Sequence, residues 1–202
     1  MNLPNKLTIL RVVLVPVVVL FLMWRLPVEG GEIWSRVIAG VLFLAASVTD
    51  AMDGKIARRR NLITNFGKFM DPLADKFMIF GAILGFVSSD MYRADAALHY
   101  ATVVAGLIVI FRELAVTSIR LVVVAGESKE VIAASKLGKF KTGSQCTWVT
   151  TAILEPVLFC FVPGFAALHV LTWATLITMT VLTILSGVDY FRRYWPAIDP
   201  RK

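Results

Sequence analysis

The chain has 202 residues and a formal net charge of +7, with 57% apolar and only 17% charged residues. Soluble domains sit near ~45–50% apolar and ~25% charged, so a fold of this length in water could not hide so much apolar surface, and a bilayer is its natural solvent. The positive charge lies in short stretches between long apolar runs, without the aromatic-and-basic surface that stacks bases, which excludes nucleic acid as a partner and leaves membrane lipids.

Six apolar segments, approximately 8–24, 34–49, 77–89, 97–124, 146–162 and 165–191, predict an all-α, polytopic membrane protein with six transmembrane helices in one domain, 1–202. Crossing a bilayer takes ~20 apolar residues. The second and third segments reach that length only by running into their polar flanks, through Asp50 to Ile56 and from Phe69. The stretch Asn2–Arg11 is expected to begin as a short N-terminal interfacial helix. No small-residue cleavage site follows the first apolar run, so it reads as a retained helix. Lys6 and Arg11, Lys55 to Lys68, Lys129 to Lys141, and Arg192 to Lys202 alternate with loops of mixed or no charge. Lysine and arginine accumulate on cytoplasmic loops, so this set and both termini are expected in the cytoplasm. Cys146 and Cys160 read as small hydrophobes, His99 and His169 as packing residues, and Trp24, Trp34 and Trp195 as interfacial belts.

The informative stretch is Asp50-x2-Asp53-Gly54-x2-Ala57-Arg58, then eight residues, then Gly67-x3-Asp71-x3-Asp75. On helices, spacings of three and four put each pair of aspartates on one face. The loop Arg59–Phe66 can turn the two helices antiparallel, so that four carboxylates converge at one end of the pair. Four such groups repel one another unless cations lie between them. Hard oxygen ligands suit Mg²⁺ or Mn²⁺, and two such ions a few ångströms apart suit in-line phosphoryl displacement. Gly54 and Ala57 remove bulk from the shared face, and Arg58 can meet a phosphate with two parallel hydrogen bonds. Any one of these aspartates could be a solvated helix end. The eight fixed residue types together would match by chance on the order of once in a billion per starting point.

A second group is basic. Arg112 and Glu113 lie near the middle of the fourth apolar run, and Arg120 is about two turns on, on the same face as Arg112. Arginine in a membrane span is expensive and usually functional. Lys139 and Lys141 open the fifth helix, where backbone donors favour anions. This surplus of positive charge suits a second substrate that itself carries a phosphate. Asn5 and Thr8, at the start of the first helix, are candidates to line a nucleotide pocket.

The aspartate pattern resembles the signature of the CDP-alcohol phosphotransferases at every fixed position. The resemblance implies that family's membrane fold. It implies that Asp50, Asp53 and Asp71 hold two metals per active site, Mg²⁺ or Mn²⁺. Asp75 becomes the general base, also near the metals, and Asp53, Gly54, Ala57, Arg58 and Gly67 contact the CDP moiety. A homodimer is also implied. Asn5-Lys-Leu-Thr8-Ile-Leu-Arg11, Phe66 to Lys76, Arg112-Glu113 with Arg120, Leu137 to Thr142 and Leu185 to Phe191 resemble one branch, the bacterial phosphatidylglycerophosphate synthases. That branch implies CDP-diacylglycerol as donor and glycerol 3-phosphate as acceptor, at the bacterial inner membrane, with Arg112, Arg120, Lys139 and Lys141 on the acceptor's phosphate. Transfer to inositol phosphate, serine or phosphatidylglycerol is the nearest alternative. A cation transporter using the acidic cluster is the alternative of a different class.

Overall fold

The computed structural model describes residues 2–59, 64–90, 93, 95–125, 136–162, 164 and 168–198, and at 3, 51–59, 124–125, 136 and 196–198 it describes the helix backbone alone. Six long helices carry the chain: α1 Leu3–Met23, α2 Gly31–Arg59, α3 Asn65–Ser88, α4 Ala96–Ala125, α5 Lys136–Leu158 and α6 Val170–Ile198. Among the described residues there is no strand.

Four stretches are long and apolar enough to cross a membrane: Pro4–Met23, Gly31–Asp50, Ala96–Val123 and Val170–Trp195. The other two helices, α3 and α5, have 24 and 23 residues. At 1.5 Å per residue that is about 35 Å, more than a ~30 Å hydrocarbon core. Their mean hydropathy is lowered by Lys68, Asp71, Asp75 and Lys76 in α3 and by Lys139, Lys141 and Glu155 in α5. Large apolar side chains stand on the outward faces. Leu107, Phe111, Leu114 and Leu121 of α4 are all more than half exposed, as lipid-facing residues are.

Three boundaries differ from the hydropathy reading. The expected interfacial helix is not a separate element, because α1 runs unbroken from Leu3 through the span. Pro4 sits in its first turn, where a proline favours helix initiation. Asn5, Thr8 and Arg11, three residues apart, are all buried, so the polar face of this segment is turned into the protein. Helix α5 begins ten residues before its apolar run, taking in the basic stretch from Lys136. Helix α6 starts at Val170 and runs on to Ile198.

The helices form a closed ring. Contacts run α1–α2, α2–α5, α5–α6, α6–α4, α4–α3 and α3–α1, with α3 also touching α5 across the ring. Inside lie Val15 and Leu22, Phe43, Met78 and Phe86, Val109, Trp148 and Ile153, and Met179, one contiguous apolar core. Phe86 and Trp148 meet with ring centroids 5.3 Å apart. Lipid tails are as apolar as these side chains, so association rests on close packing. Gly81 and Gly85 provide it between α1 and α3. A Cβ at Gly81 would lie 2.5 Å from Val15 Cγ1, and one at Gly85 would lie 2.9 Å from Leu22 Cδ1.

The end of the ring away from both chain termini is closed by Glu155, a fully buried carboxylate of α5. Its Oε1 accepts from Leu171 N at 2.8 Å, and its Oε2 accepts from Thr172 N at 2.8 Å and Thr172 Oγ1 at 2.5 Å. These are donors that the first turn of α6 cannot pair internally, at the positive end of its dipole. Removing the carboxylate in Glu155→Leu strands them in a dry site. Thermal unfolding in detergent should show a loss of about 2–3 kcal/mol, with Glu155→Gln intermediate. A Glu155→Leu protein as stable as the parent would contradict this reading.

Candidate active site

Odd-numbered helices begin, and even-numbered helices end, at the opposite end of the ring, and the described carboxylates Asp50, Asp71 and Asp75 lie toward it. Arg11 of α1 is fully buried. A guanidinium cannot shed its charge in a protein, so burial demands anionic partners. They come from two different helices. Arg11 Nη1 lies 2.7 Å from Asp50 Oδ1 of α2 and 3.0 Å from Asp75 Oδ1 of α3. One nitrogen therefore draws together two carboxylates that would otherwise repel. Asp71 is held separately, by a hydrogen bond from Thr8 Oγ1 to its Oδ1 at 2.9 Å.

The start of α3 is fitted to the start of α1. Thr64 caps α3 by accepting from Gly67 N at 3.0 Å, and its own hydroxyl donates to Asn5 Oδ1 at 3.0 Å. A Cβ on Gly67 would stand 3.3 Å from both Asn5 Oδ1 and Thr64 Oγ1, and 3.8 Å from Asp71 Oδ2. Glycine at this position thus has a packing reason, alongside the CDP contact that the resemblance implies. Thr8 and Asn5, expected to line a nucleotide pocket, are buried, and their side chains are engaged with Asp71 and Thr64. The helix backbone of α2 continues through Asp53, Gly54, Ala57 and Arg58, whose side chains lie outside the described residues.

The carboxylate end fits a hard divalent cation in its chemistry. The donors are oxygens, and Asp50 and Asp75 already share a positively charged neighbour. Among the described residues no three acidic or imidazole groups close around one point, and the Asp53 side chain lies outside that set.

Beside Asp75 opens a cavity of about 170 Å³, bounded by Pro72, Asp75, Lys76, Ile79 and Phe80 of α3, Glu113 and Arg120 of α4, and Lys141, Thr142 and Gln145 of α5. Glu113 organises one wall. It accepts from Lys141 Nζ, and from Arg112 Nη1 at 3.1 Å. Arg112 Nη2 in turn donates to Ser186 Oγ of α6 at 3.0 Å, and a Cβ on the next residue, Gly187, would come within 3.2 Å of Arg112 Cγ. That contact accounts for the Ser186-Gly187 pair near the end of the chain. Lys76 Nζ donates to Thr117 Oγ1.

Of the four basic residues expected on an acceptor phosphate, Arg120 and Lys141 line the cavity. Arg112 is held between Glu113 and Ser186 and is not among its walls, and Lys139 is exposed outside it. Lys76 lines the cavity as a third cation. Arg11 is the larger omission, since a lysine or arginine at a helix start reads as ordinary cytoplasmic bias. Its place three residues after Thr8, on the face that also holds Asn5, was the available signal.

This ring of helices with a carboxylate end and a basic cavity is the architecture of a membrane phosphotransferase, and the comparisons agree. A family model described as CDP-alcohol phosphatidyltransferase matches residues 1–185, and the chain belongs to that family. It is 38% identical to a CDP-diacylglycerol--glycerol-3-phosphate 3-phosphatidyltransferase of Bacillus subtilis (strain 168), over 98% of this chain and 97% of that protein. It is 35% identical to a probable phosphatidylglycerophosphate synthase of Mycobacterium tuberculosis, over 95% of this chain and 81% of the relative. An Escherichia coli K12 protein, named like the first, is 33% identical over 88% and 91%.

Replacing Arg11 by methionine leaves Asp50 and Asp75 facing each other without their shared cation. The metal-free protein should lose about 1–3 kcal/mol in thermal unfolding, and added Mg²⁺ should restore more stability to this variant than to the parent. Equal Mg²⁺ effects on both proteins would contradict the shared-cation reading.

Proposed function

We propose that this protein transfers the phosphatidyl group of CDP-diacylglycerol to sn-glycerol 3-phosphate, giving phosphatidylglycerophosphate and CMP. The observation that carries the acceptor assignment is the cavity in which Asp75 shares walls with Lys76, Arg120 and Lys141. A carboxylate suited to take a proton stands beside cations suited to a phosphate, in a space of small-molecule size. Family membership and the names of the relatives support the donor and the reaction.

The acyl chains remain in the bilayer, and the CDP head lies over the ends of α2 and α3, against Asp53, Gly54, Ala57, Arg58 and Gly67. Divalent cations, Mg²⁺ or Mn²⁺, would be held by Asp50, Asp53, Asp71 and Asp75 and would supply charge neutralisation to the pyrophosphate. Arg120 and Lys141 hold the acceptor's phosphate, with Lys76 adding charge nearby. Asp75 takes the proton of the primary hydroxyl. The freed oxygen bonds to the phosphorus that carries diacylglycerol, the bond from that phosphorus to the CMP oxygen breaks, and CMP leaves. Arg112 acts at one remove, fixing Glu113 and through it the Lys141 ammonium.

We read residues 1–202 as one catalytic domain in the bacterial inner membrane, with site and termini on the cytoplasmic side and a homodimer as the active unit. Lysine and arginine at the site end support that orientation, and the homodimer rests on the resemblance alone. A cation transporter is disfavoured because transport sites lie near the bilayer midplane, often on broken helices, whereas Asp71 and Asp75 lie in the first turns of the unbroken helix α3.

An acceptor panel with purified protein and CDP-diacylglycerol tests the assignment. Glycerol 3-phosphate should release CMP, while serine and phosphatidylglycerol should not. Turnover with serine but not with glycerol 3-phosphate would overturn it. Asp75→Asn should lower turnover at least about 10³-fold with CDP-diacylglycerol binding retained. Loss of both together would make Asp75 chiefly a metal ligand. Arg120→Met should raise the KM for glycerol 3-phosphate about 10–100-fold with a smaller effect on kcat, whereas Lys139→Met should stay within about threefold of the parent. The reverse order would move the phosphate site out of this cavity.

A further inference from the structure

Gln145 is a polar wall of the cavity to which the reaction above gives no task. It lies on α5, one turn beyond Lys141, and is only 2% exposed. Its Nε2 has no hydrogen-bond partner among the described residues. A buried amide donor left unpaired is costly, and such groups in native proteins usually have a partner that arrives with a ligand or water. Here the amide belongs to a residue lining the space where the acceptor is placed.

The acceptor has three polar parts. Its phosphate is matched by the charged side chains of Arg120 and Lys141, and its primary hydroxyl by Asp75. The secondary hydroxyl is the part left without a partner, and Gln145 is a neutral donor in the same walls. Spacing agrees. Residues four apart on a helix are about 6 Å apart along its axis, comparable to the reach from the phosphate of a three-carbon phosphate to its hydroxyls. With the phosphate at Lys141, the polyol end falls at the level of Gln145.

We propose that Gln145 donates a hydrogen bond to the secondary hydroxyl of the acceptor and so selects a phosphorylated polyol over simpler phosphorylated alcohols. The proposal rests on the acceptor cavity assigned above. A site whose buried donor expects a hydroxyl discriminates strongly against an analogue without one, because the donor is then left unpaired. Gln145 thus sets specificity, while Arg120 and Lys141 set affinity for any phosphate.

The test compares glycerol 3-phosphate with 3-hydroxypropyl phosphate, which keeps the phosphate and the primary hydroxyl and lacks only the secondary one. Full-length parent, Gln145→Met and Gln145→Asn are assayed for CMP release from CDP-diacylglycerol in detergent micelles. The parent should prefer glycerol 3-phosphate. Gln145→Met should lose about 10–100-fold in kcat/KM for glycerol 3-phosphate and stay within about threefold for 3-hydroxypropyl phosphate, so that the preference collapses. Gln145→Asn, which keeps the amide one methylene further back, should fall between, and it decides the matter if the methionine variant does not fold. Equal losses for both acceptors, or an unchanged preference, overturn the role of Gln145. A parent inactive with glycerol 3-phosphate but active with another alcohol overturns the acceptor assignment itself, and this proposal with it.

Discussion

The arrangement at the site end depends on one buried guanidinium. Acidic side chains from α2 and α3 cannot be brought together at the rim of a low-dielectric helix ring unless positive charge lies between them. Arg11 places that charge with no exposed surface of its own, one nitrogen against both Asp50 and Asp75. Separating two ions from water costs several kcal/mol each, and the cost is met only when geometry and hydrogen bonding are good. The rest of the end is organised to meet that condition. Thr8 fixes Asp71, Thr64 caps α3 and ties it to Asn5, and Gly67 lets the two helix starts approach. Helix α1 is thus the strut on which the carboxylates of its two neighbours are set.

A second charge relay stands opposite the first. Glu113 receives Arg112 and Lys141, and Arg112 is braced by Ser186 from the last helix. The two systems meet at the cavity, which takes walls from α3, α4 and α5. Their division of labour follows from charge. The acidic side suits metals and a diphosphate, and the basic side suits the phosphate of the incoming alcohol. Keeping the two apart prevents Lys141 from simply pairing with Asp75, because Glu113 already holds it.

Much of this was legible in the sequence. The helices follow from apolar run length, and the shared face of Asp71 and Asp75 on α3 from a spacing of four; the approach of Asp50 to Asp75 across two helices is made by Arg11. The pairing of Arg112 with Glu113 was visible as neighbours in a span. What escaped the reading was whatever depended on which face a side chain turns inward. Arg11 reads as cytoplasmic charge at the start of α1, yet with Asn5 and Thr8 it forms the inner face of that helix. Arg112 and Lys139 looked equal to Arg120 and Lys141, but only the latter two line the cavity, Arg112 being held about two turns away by Glu113 and Ser186. Glu155, a lone carboxylate in an apolar run, had a signal in its rarity; its partner, the first turn of α6, was invisible to a linear pattern. Gln145 had no signal, since an uncharged amide in a helix is common and only the cavity gives it meaning.

We propose that carboxylates from two helices, gathered at one end by α1, form a divalent-metal site. Anomalous scattering from crystals grown with Mn²⁺ and CDP-diacylglycerol tests it most directly. Two strong peaks per chain are expected within coordination distance of Asp50, Asp53, Asp71 and Asp75, both lost in Asp50→Asn. Peaks elsewhere, or none where bound CDP-lipid is clearly visible, would contradict it.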